Sequence, residues 1–336
     1  MIIGLTYDLR REYLAMGYSE IETAEFDQPE TIEAIELALQ ELGHETIRIG
    51  HAFQLMEKLV KGERWDMVFN IAEGLHGTGR EAQVPAVLDI YNIPYTFSDP
   101  LVMCLTLHKG MTKRVIRDAG LATADFKVAE SLEDIVDIPF KPPFFVKPVA
   151  EGTGMGVSPR SLVETPGALA GICRSLFEEF HQPVIIERFL PGREFTIGIA
   201  GTGAEARVLG TMEIVLLEKA EKAVYSFINK EDWKKRVAYR PLSAEDDPLA
   251  AQAEELALAS WKILGARDGG RVDIRCDENN IPCFMEVNPL AGLRPEYSDL
   301  PILCGHFGIS YVQLIEMIVK SAAKRVLPEK VLKKCA

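Results

Sequence analysis

A change of pattern near residue 101 limits the fold of this chain more than any other feature. Before it, short apolar runs alternate with segments of helical spacing. Ile2-Ile3-Gly4-Leu5-Thr6 reads as a strand, and residues 29–42 carry Ile32, Ile35, Leu39 and Leu42 on one helical face before Gly43 stops them. Residues 45–49, 67–71 and 93–96 read as three further strands. Strands that alternate with helices predict a parallel sheet, because each crossover must return the chain to the same end. After residue 101 strand follows strand. A helix over 109–119, ended by Gly120, leads into strand-like runs at 126–128, 144–147 and 184–188. Pro139, Pro142 and Pro143 mark an irregular approach to the glycine-rich stretch Glu151-Gly152-Thr153-Gly154-Met155-Gly156. Strands continue over 191–204, while 220–241 is charged, poorly periodic and reads as a mobile loop. Residues 248–264 form a helix, 271–275 and 283–288 a hairpin around Glu278-Asn279-Asn280, and 311–323 a closing amphipathic helix. The expected class is an α/β unit followed by α+β.

Size and charge narrow the partners. With 336 residues the chain has room for two or three domains and a full core without disulfide or metal staples. The 37 basic against 50 acidic side chains leave a net charge of −13. That argues against nucleic acid, whose phosphates need a basic surface, but not against one small phosphate ligand. No run of about 18 apolar residues predicts a membrane span, and the first residues lack the basic start and apolar core of a signal peptide. The six cysteines are scattered without a C-x-x-C, which reads as reduced thiols in a cytoplasmic protein.

Four segments carry chemistry. Glu286 and Asn288 stand two apart on a strand, so both leave the same face, and Asp273 on the partner strand can meet them. Three oxygen donors, two of them acidic, suit a hard divalent cation completed by phosphate oxygens and water: Mg²⁺, with Mn²⁺ as a substitute. A solvent-facing polar strand gives the same alternation. Arg271 shares that face, where a cation suits developing phosphoryl charge. Lys147 ends an apolar run just before the glycine-rich stretch, whose backbone can approach anionic oxygens; the bland reading is a lysine flanking a hairpin. Glu187 and Glu194, on either side of a polar elbow, can bond an adenine amine and ribose hydroxyls or simply form surface ion pairs. His76, Arg80 and Glu81 follow a strand end, where open α/β sheets bind ligands, and can hold a small zwitterion. The glycines match neither a dinucleotide fingerprint nor a Walker A loop, and no H-E-x-x-H or G-x-S-x-G occurs.

In this order the segments resemble the ATP-grasp superfamily and, within it, the D-alanine–D-alanine ligases. The likeness runs over about 67–320. It is carried by Leu75-His76-Gly77, Ile93-Pro94-Tyr95-Thr96, Leu107-His108-Lys109, Phe145-Val146-Lys147-Pro148 with Glu151-Gly152, and Ile186-Glu187-Arg188-Phe189-Leu190 with Glu194. Gly270-Arg271-Val272-Asp273 and Met285-Glu286-Val287-Asn288-Pro289 with Gly292 complete it. The resemblance implies a Rossmann-like N-terminal domain over 1–100 and a two-domain ATP-grasp fold over 101–185 and 186–336, with ATP between the last two. It implies that Lys109, Lys147, Glu151 and Gly152 meet the phosphates. Glu187, Arg188 and Leu190 then take the adenine side and Glu194 the ribose. Asp273, Glu286 and Asn288 would hold two Mg²⁺ ions, and Lys230 would reach the γ-phosphate from the long loop. Arg271 and the Gly292 N–H would stabilise a tetrahedral intermediate, while His76, Thr153 and Ser298 would meet the substrates. The implied activity is ATP-dependent ligation of an amino acid or peptide through an acyl phosphate, in peptidoglycan synthesis, by a cytoplasmic homodimer.

Several positions depart from the family pattern. The first strand runs into Tyr7-Asp8-Leu9-Arg10-Arg11-Glu12 in place of a Gly-Gly loop with its glutamate. Thr153 and Gly154 replace paired serines, Glu231 a tyrosine, and His108 an acidic residue. Ser298 is offset by one position. The amino-acid pocket is therefore expected to differ. A ligase for another acid or amine, and a nucleotide-binding regulator on the same fold, are the alternatives.

Overall fold

A computed structural model describes residues 1–221 and 233–326. Its first sheet is parallel, with strands β1 (Ile2–Thr6), β2 (Glu45–Gly50) and β3 (Met67–Asn70) in the order β2-β1-β3. The expected fourth strand shrinks to one bridge, Val68 to Tyr95. There the Pro94 carbonyl accepts from the Val68 N–H at 2.8 Å, and a proline has no N–H to extend the ladder. On one face Ile32, Ile35 and Leu39 of the helix Pro29–Glu41 join Leu314, Ile315 and Ile318 of the helix Tyr311–Ala323 in one core. The last helix thus closes on the first domain. Buried Asp268 fastens the same seam, accepting from the Phe97 N–H at 2.7 Å and pairing with Arg325 at 2.6 Å.

The second sheet is antiparallel, in the order β4-β7-β5-β6, with β4 (Phe126–Ala129), β5 (Phe144–Pro148), β6 (Leu162–Val163) and β7 (Val184–Arg188). The helix Pro166–Phe180, absent from the expected elements, covers it with Leu169, Cys173 and Leu176. The boundary expected at 185/186 falls inside β7, which pairs wholly within this sheet.

The third sheet runs β10-β9-β8-β11-β12, all antiparallel, with β8 (Glu194–Ala200), β9 (Arg207–Leu216), β10 (Val237–Leu242), β11 (Gly269–Cys276) and β12 (Pro282–Asn288). Part of the segment expected as a loop is therefore strand β10, held by β9; residues 222–232 lie outside the described ones. The helix Pro248–Leu264 starts at an Asp247 cap that accepts from the Leu249 and Ala250 N–H groups at 3.0 and 3.2 Å. It lays Ala253, Ala257 and Trp261 on Ile197, Val272 and Ile274. A β-carbon at Gly270 would come 2.4 Å from the Asn288 carbonyl oxygen and 2.8 Å from the buried Trp261 ring. Gly270→Ala should therefore cost about 1–3 kcal/mol, read as a lower urea midpoint; an unchanged midpoint would mean that the ring yields.

Among the described residues no single helix is long and apolar enough to cross a membrane, and Cys104, Cys173, Cys276, Cys283 and Cys304 are free thiols.

Candidate active site

The β11–β12 hairpin sets the geometry. Asp273 lies opposite Glu286 and Arg271 opposite Asn288. The register slips between Asp273 and Ile274, and Met285 is the extra residue of the bulge. Phe284 and Val287, three positions apart, both enter the core as a result. Glu286 and Asn288 are left on the opposite face, which they share with Arg271 and Asp273. The neighbouring strand β8 extends that face, its Thr196 hydroxyl donating to Asp273 Oδ1 at 2.9 Å and its Glu194 pairing with Arg275 at 3.2 Å. Arg271 pairs with Asp273 and stands 3.9 Å from Asp299. Burial works against its charge, but Asp273, Asp299 and Glu286 outweigh burial and raise its pKa.

Facing this sheet are the lysines of the second unit. Lys109 opens the helix Lys109–Asp118, donates to the Glu151 carbonyl and comes 3.7 Å from Glu286. Burial pulls its ammonium below the ordinary value, with Glu286 opposing. Lys147 on β5 pairs with Glu187 on β7 at 3.0 Å, and Lys113 pairs with the other Glu187 oxygen at 2.7 Å. Burial alone would raise the Glu187 carboxyl; the two ammonium groups overcome it and hold it at about 2. Leu190 packs with Ala124 and Cys283, an apolar patch fit for the face of a base. Arg188, one-third exposed, pairs instead with Glu278 at 3.3 Å, on the surface.

A cavity of about 440 Å³ lies between these elements and the first domain. Of the residues singled out from sequence, Lys109, Glu151, Gly152 and Thr153 line it from one side, and Arg271, Glu286 and Asn288 from another. Gly292 and Ser298 close its floor: a β-carbon at Gly292 would come 2.8 Å from Ser298 Oγ, which accepts from the Arg294 N–H at 3.1 Å. Lys147, Glu187, Leu190, Glu194 and Asp273 are not on its wall. Lys230 lies outside the described residues.

His76 is exposed, its ring near Tyr18 at 6.2 Å, and it does not line the cavity. The helical turn Arg80–Ala82 directs the next residues inward instead. Arg80 is buried against Glu25 at 2.7 Å and Glu151 at 3.6 Å, and Glu81 reaches the cavity. His108 likewise acts locally, since its Nδ1 accepts from the Met111 N–H at 3.2 Å and caps a helix.

Five cavity residues carry no sequence signal that singles them out: Glu25, Asp27, Glu73, Arg294 and Asp299. Burial pushes Asp27 up to about 7, and burial with the charge of Glu25 does the same to Glu81. The Arg294 guanidinium lies over the Tyr297 ring, 4.9 Å from its centre.

Comparison with known proteins bears on this geometry. The sequence matches the family described as D-ala D-ala ligase C-terminus over residues 115–320. It is 31% identical over 290 residues to the D-alanine–D-alanine ligase of Aquifex aeolicus, covering 86% of this chain and 93% of that one. Identity to the D-alanine–D-alanine ligase of Bordetella petrii is 31% over 255 residues, 75% of each chain. The structure of D-alanine–D-alanine ligase from Bacillus anthracis complexed with ATP shares the fold with a TM-score of 0.72 at 22% identity, over 97% of this chain and 98% of that one. The VanG D-Ala:D-Ser ligase from Enterococcus faecalis gives 0.72 at 17% identity, over 96% and 99%.

Proposed function

This chain belongs to the D-alanine–D-alanine ligase family of ATP-grasp enzymes, and from that premise we propose that it uses ATP to join the carboxylate of one amino acid to the amine of another. One observation carries the reading. Arg271, Asp273, Glu286 and Asn288 share a sheet face, and Lys109 meets it across the cavity, 3.7 Å from Glu286. That arrangement can grip a polyphosphate tail and the acid it activates.

A carboxylate resists an amine in water because its oxygen is a poor leaving group. Transfer of the γ-phosphoryl group of ATP makes that oxygen part of a phosphate. The amine then attacks the acyl carbon and inorganic phosphate leaves. Lys109, with Lys147 behind it, supplies positive charge to the phosphates. Leu190 and its apolar neighbours suit the base, and Glu194 the ribose. The Glu187 carboxylate is taken up by two lysines, so its side chain serves to position them, leaving the base edge to the backbone of this segment. Arg271, oriented by Asp273 and Asp299, and the N–H of Gly292 face the charge that develops on the tetrahedral carbon.

The donor set fits Mg²⁺. Asp273, Glu286 and the amide of Asn288 are hard oxygen ligands, and Asn288 Nδ2 is buried without a hydrogen bond among the described residues. No three His, Cys, Asp or Glu side chains converge on a metal site among the described residues, so these ligands would hold the ion jointly with phosphate oxygens. When bound it would neutralise phosphate charge and align the transferred group.

The amine partner brings a carboxylate of its own, and the Arg294 guanidinium on the cavity wall suits it. Arg294→Met should raise KM for the amine substrate about 10- to 100-fold with a smaller change in kcat. A fall confined to kcat would remove Arg294 from this role. The reading as a whole is tested by phosphate release from ATP and Mg²⁺ with D- and L-amino acids: release must require an amino acid, and mass spectrometry must find the amide. Tight ATP binding without release would favour a regulator instead. The free thiols agree with a reducing cytoplasm, and size-exclusion chromatography tests the homodimer that the family likeness implies.

A further inference from the structure

Arg80 does not line the cavity, but it stands directly behind two carboxylates that do, Glu25 and Glu151. Its side chain is only 8% exposed, and its guanidinium makes three contacts. Nη2 meets Glu25 at 2.7 Å and Glu151 at 3.6 Å, and Nη1 donates to the Ala150 carbonyl at 2.9 Å. Arg80 and Glu25 belong to the first domain, whereas Ala150 and Glu151 open the glycine-rich stretch of the second unit. Within that unit the Gln182 amide accepts from the Ala150 N–H at 2.7 Å and donates to Glu151 at 2.5 Å. Lys109 hangs on the same stretch, its backbone N–H donating to the Val149 carbonyl at 3.0 Å and its ammonium to the Glu151 carbonyl. A β-carbon at Gly152 would come 2.0 Å from Glu25 Oε1, so the segment carrying Glu25 lies directly on the glycines.

Taking three charged groups out of water is costly, and apolar side chains would join the two units at less cost. A planar guanidinium offers direction instead. Its two terminal nitrogens hold a carboxylate of the first domain and the backbone of the glycine-rich stretch in one relative position. From Glu151 the link runs on to Lys109, which faces Glu286 at 3.7 Å across the cavity. The seat of the glycines against the first domain therefore decides where the Lys109 ammonium stands.

We propose that Arg80 is a positioning residue. From behind the cavity wall it sets the glycine-rich stretch and Lys109 for the phosphates of ATP, and it makes that setting depend on the segment carrying Glu25. The proposal rests on the ligase reading above and adds the group that aligns its phosphate end.

Two exchanges separate position from charge. Arg80→Lys keeps the positive charge and loses the planar fork. Glu25→Gln removes a negative charge beside the glycines, which by charge alone would tighten ATP; through Arg80 it should weaken it. Affinity for ATP with Mg²⁺ is measured by titration calorimetry on the full chain, without amino acid, beside thermal unfolding. The expected dissociation constant rises about 10-fold in Arg80→Lys and about threefold in Glu25→Gln. Glu25→Gln should add less to Arg80→Lys than it does alone. Wild-type affinity in folded Arg80→Lys overturns the proposal, as does unchanged or tighter binding in Glu25→Gln. A lower melting temperature with ATP affinity intact would make the cluster structural and overturns it too. If Arg80→Lys does not fold, the sign of the change in Glu25→Gln decides alone. Failure of the ligase reading shows separately, as wild type releasing no phosphate with any D- or L-amino acid; weakened ATP binding in both variants would still place Arg80 behind the nucleotide site.

Discussion

Glu286→Gln should abolish turnover while leaving the fold in place. The exchange keeps the shape of the side chain and removes one negative charge from the face shared by Arg271, Asp273 and Asn288. An acid on that face offers a hard oxygen ligand and also balances Lys109, 3.7 Å away. An amide oxygen does both far less well. Phosphate release should drop at least about 100-fold, the scale seen when one preorganised electrostatic group is lost. Thermal unfolding should move little. The Glu286 side chain is about one-fifth exposed, and Lys109 keeps its hydrogen bond to the Glu151 carbonyl. Normal release by this variant would refute the assignment of the sheet face to phosphate and metal. A large loss of stability would instead make Glu286 a structural partner of Lys109.

The hairpin that carries this prediction is legible in the sequence because local rules decide it. The turn Glu278-Asn279-Asn280 fixes the pairing, and the two-residue alternation puts Glu286 and Asn288 on one face. The bulge at Met285 is not legible: it lies before Glu286 and leaves the Glu286–Asn288 alternation intact, but without it the register set at the turn would put Asp273 opposite Met285, so the bulge is what brings Asp273 to their face. The helix Pro166–Phe180 has a readable pattern, Leu169, Ile172, Cys173 and Leu176 behind an N-terminal proline, yet it is missing from the expected elements. Strand β9 is missing too, although residues 207–216 pair with β8 on one side and fix β10 on the other. Residues 237–242 look like loop because Arg240 and Pro241 interrupt a short edge strand whose side chains are mostly open to water. The placement of His76 is another feature that no local pattern encodes. Glycines around a histidine suggest a ligand loop, but the turn at Arg80–Ala82 faces Arg80 and Glu81 inward and His76 out. Glu25 and Asp27 belong to no motif, and Glu73 lies in the glycine-rich segment 70–81 without being singled out there. They reach the cavity wall by the packing of segments distant in sequence, and no local pattern encodes that.

Glu187→Gln should be among the most destabilising single exchanges in the chain. Its carboxylate is buried and holds Lys113 at 2.7 Å and Lys147 at 3.0 Å. Lys113 in turn donates to the Phe284 carbonyl on β12 at 3.2 Å and to Thr123 at 2.9 Å, so the cluster ties the second sheet to the third. The amide deprives two buried ammonium groups of their nearest counter-charge, a loss of about 3–5 kcal/mol. The pH dependence has a definite sign. The folded pKa is about 2, below the ordinary value of about 4.3 for a free glutamate. The carboxylate therefore contributes its stability fully above about pH 5, and loses it as pH falls toward about 2 and the unfolded chain takes up the proton first. That difference amounts to about 3 kcal/mol, in line with the cost of breaking the cluster. Urea unfolding of wild type and variant should thus differ most near neutral pH and converge between about pH 4 and 2. A gap that stayed constant over that range would mean that shape, not charge, makes Glu187 matter. Adding Lys113→Met to Glu187→Gln should recover part of the loss, because it removes one of the stranded cations. No recovery would mean that Lys113 finds another acceptor once Glu187 is gone.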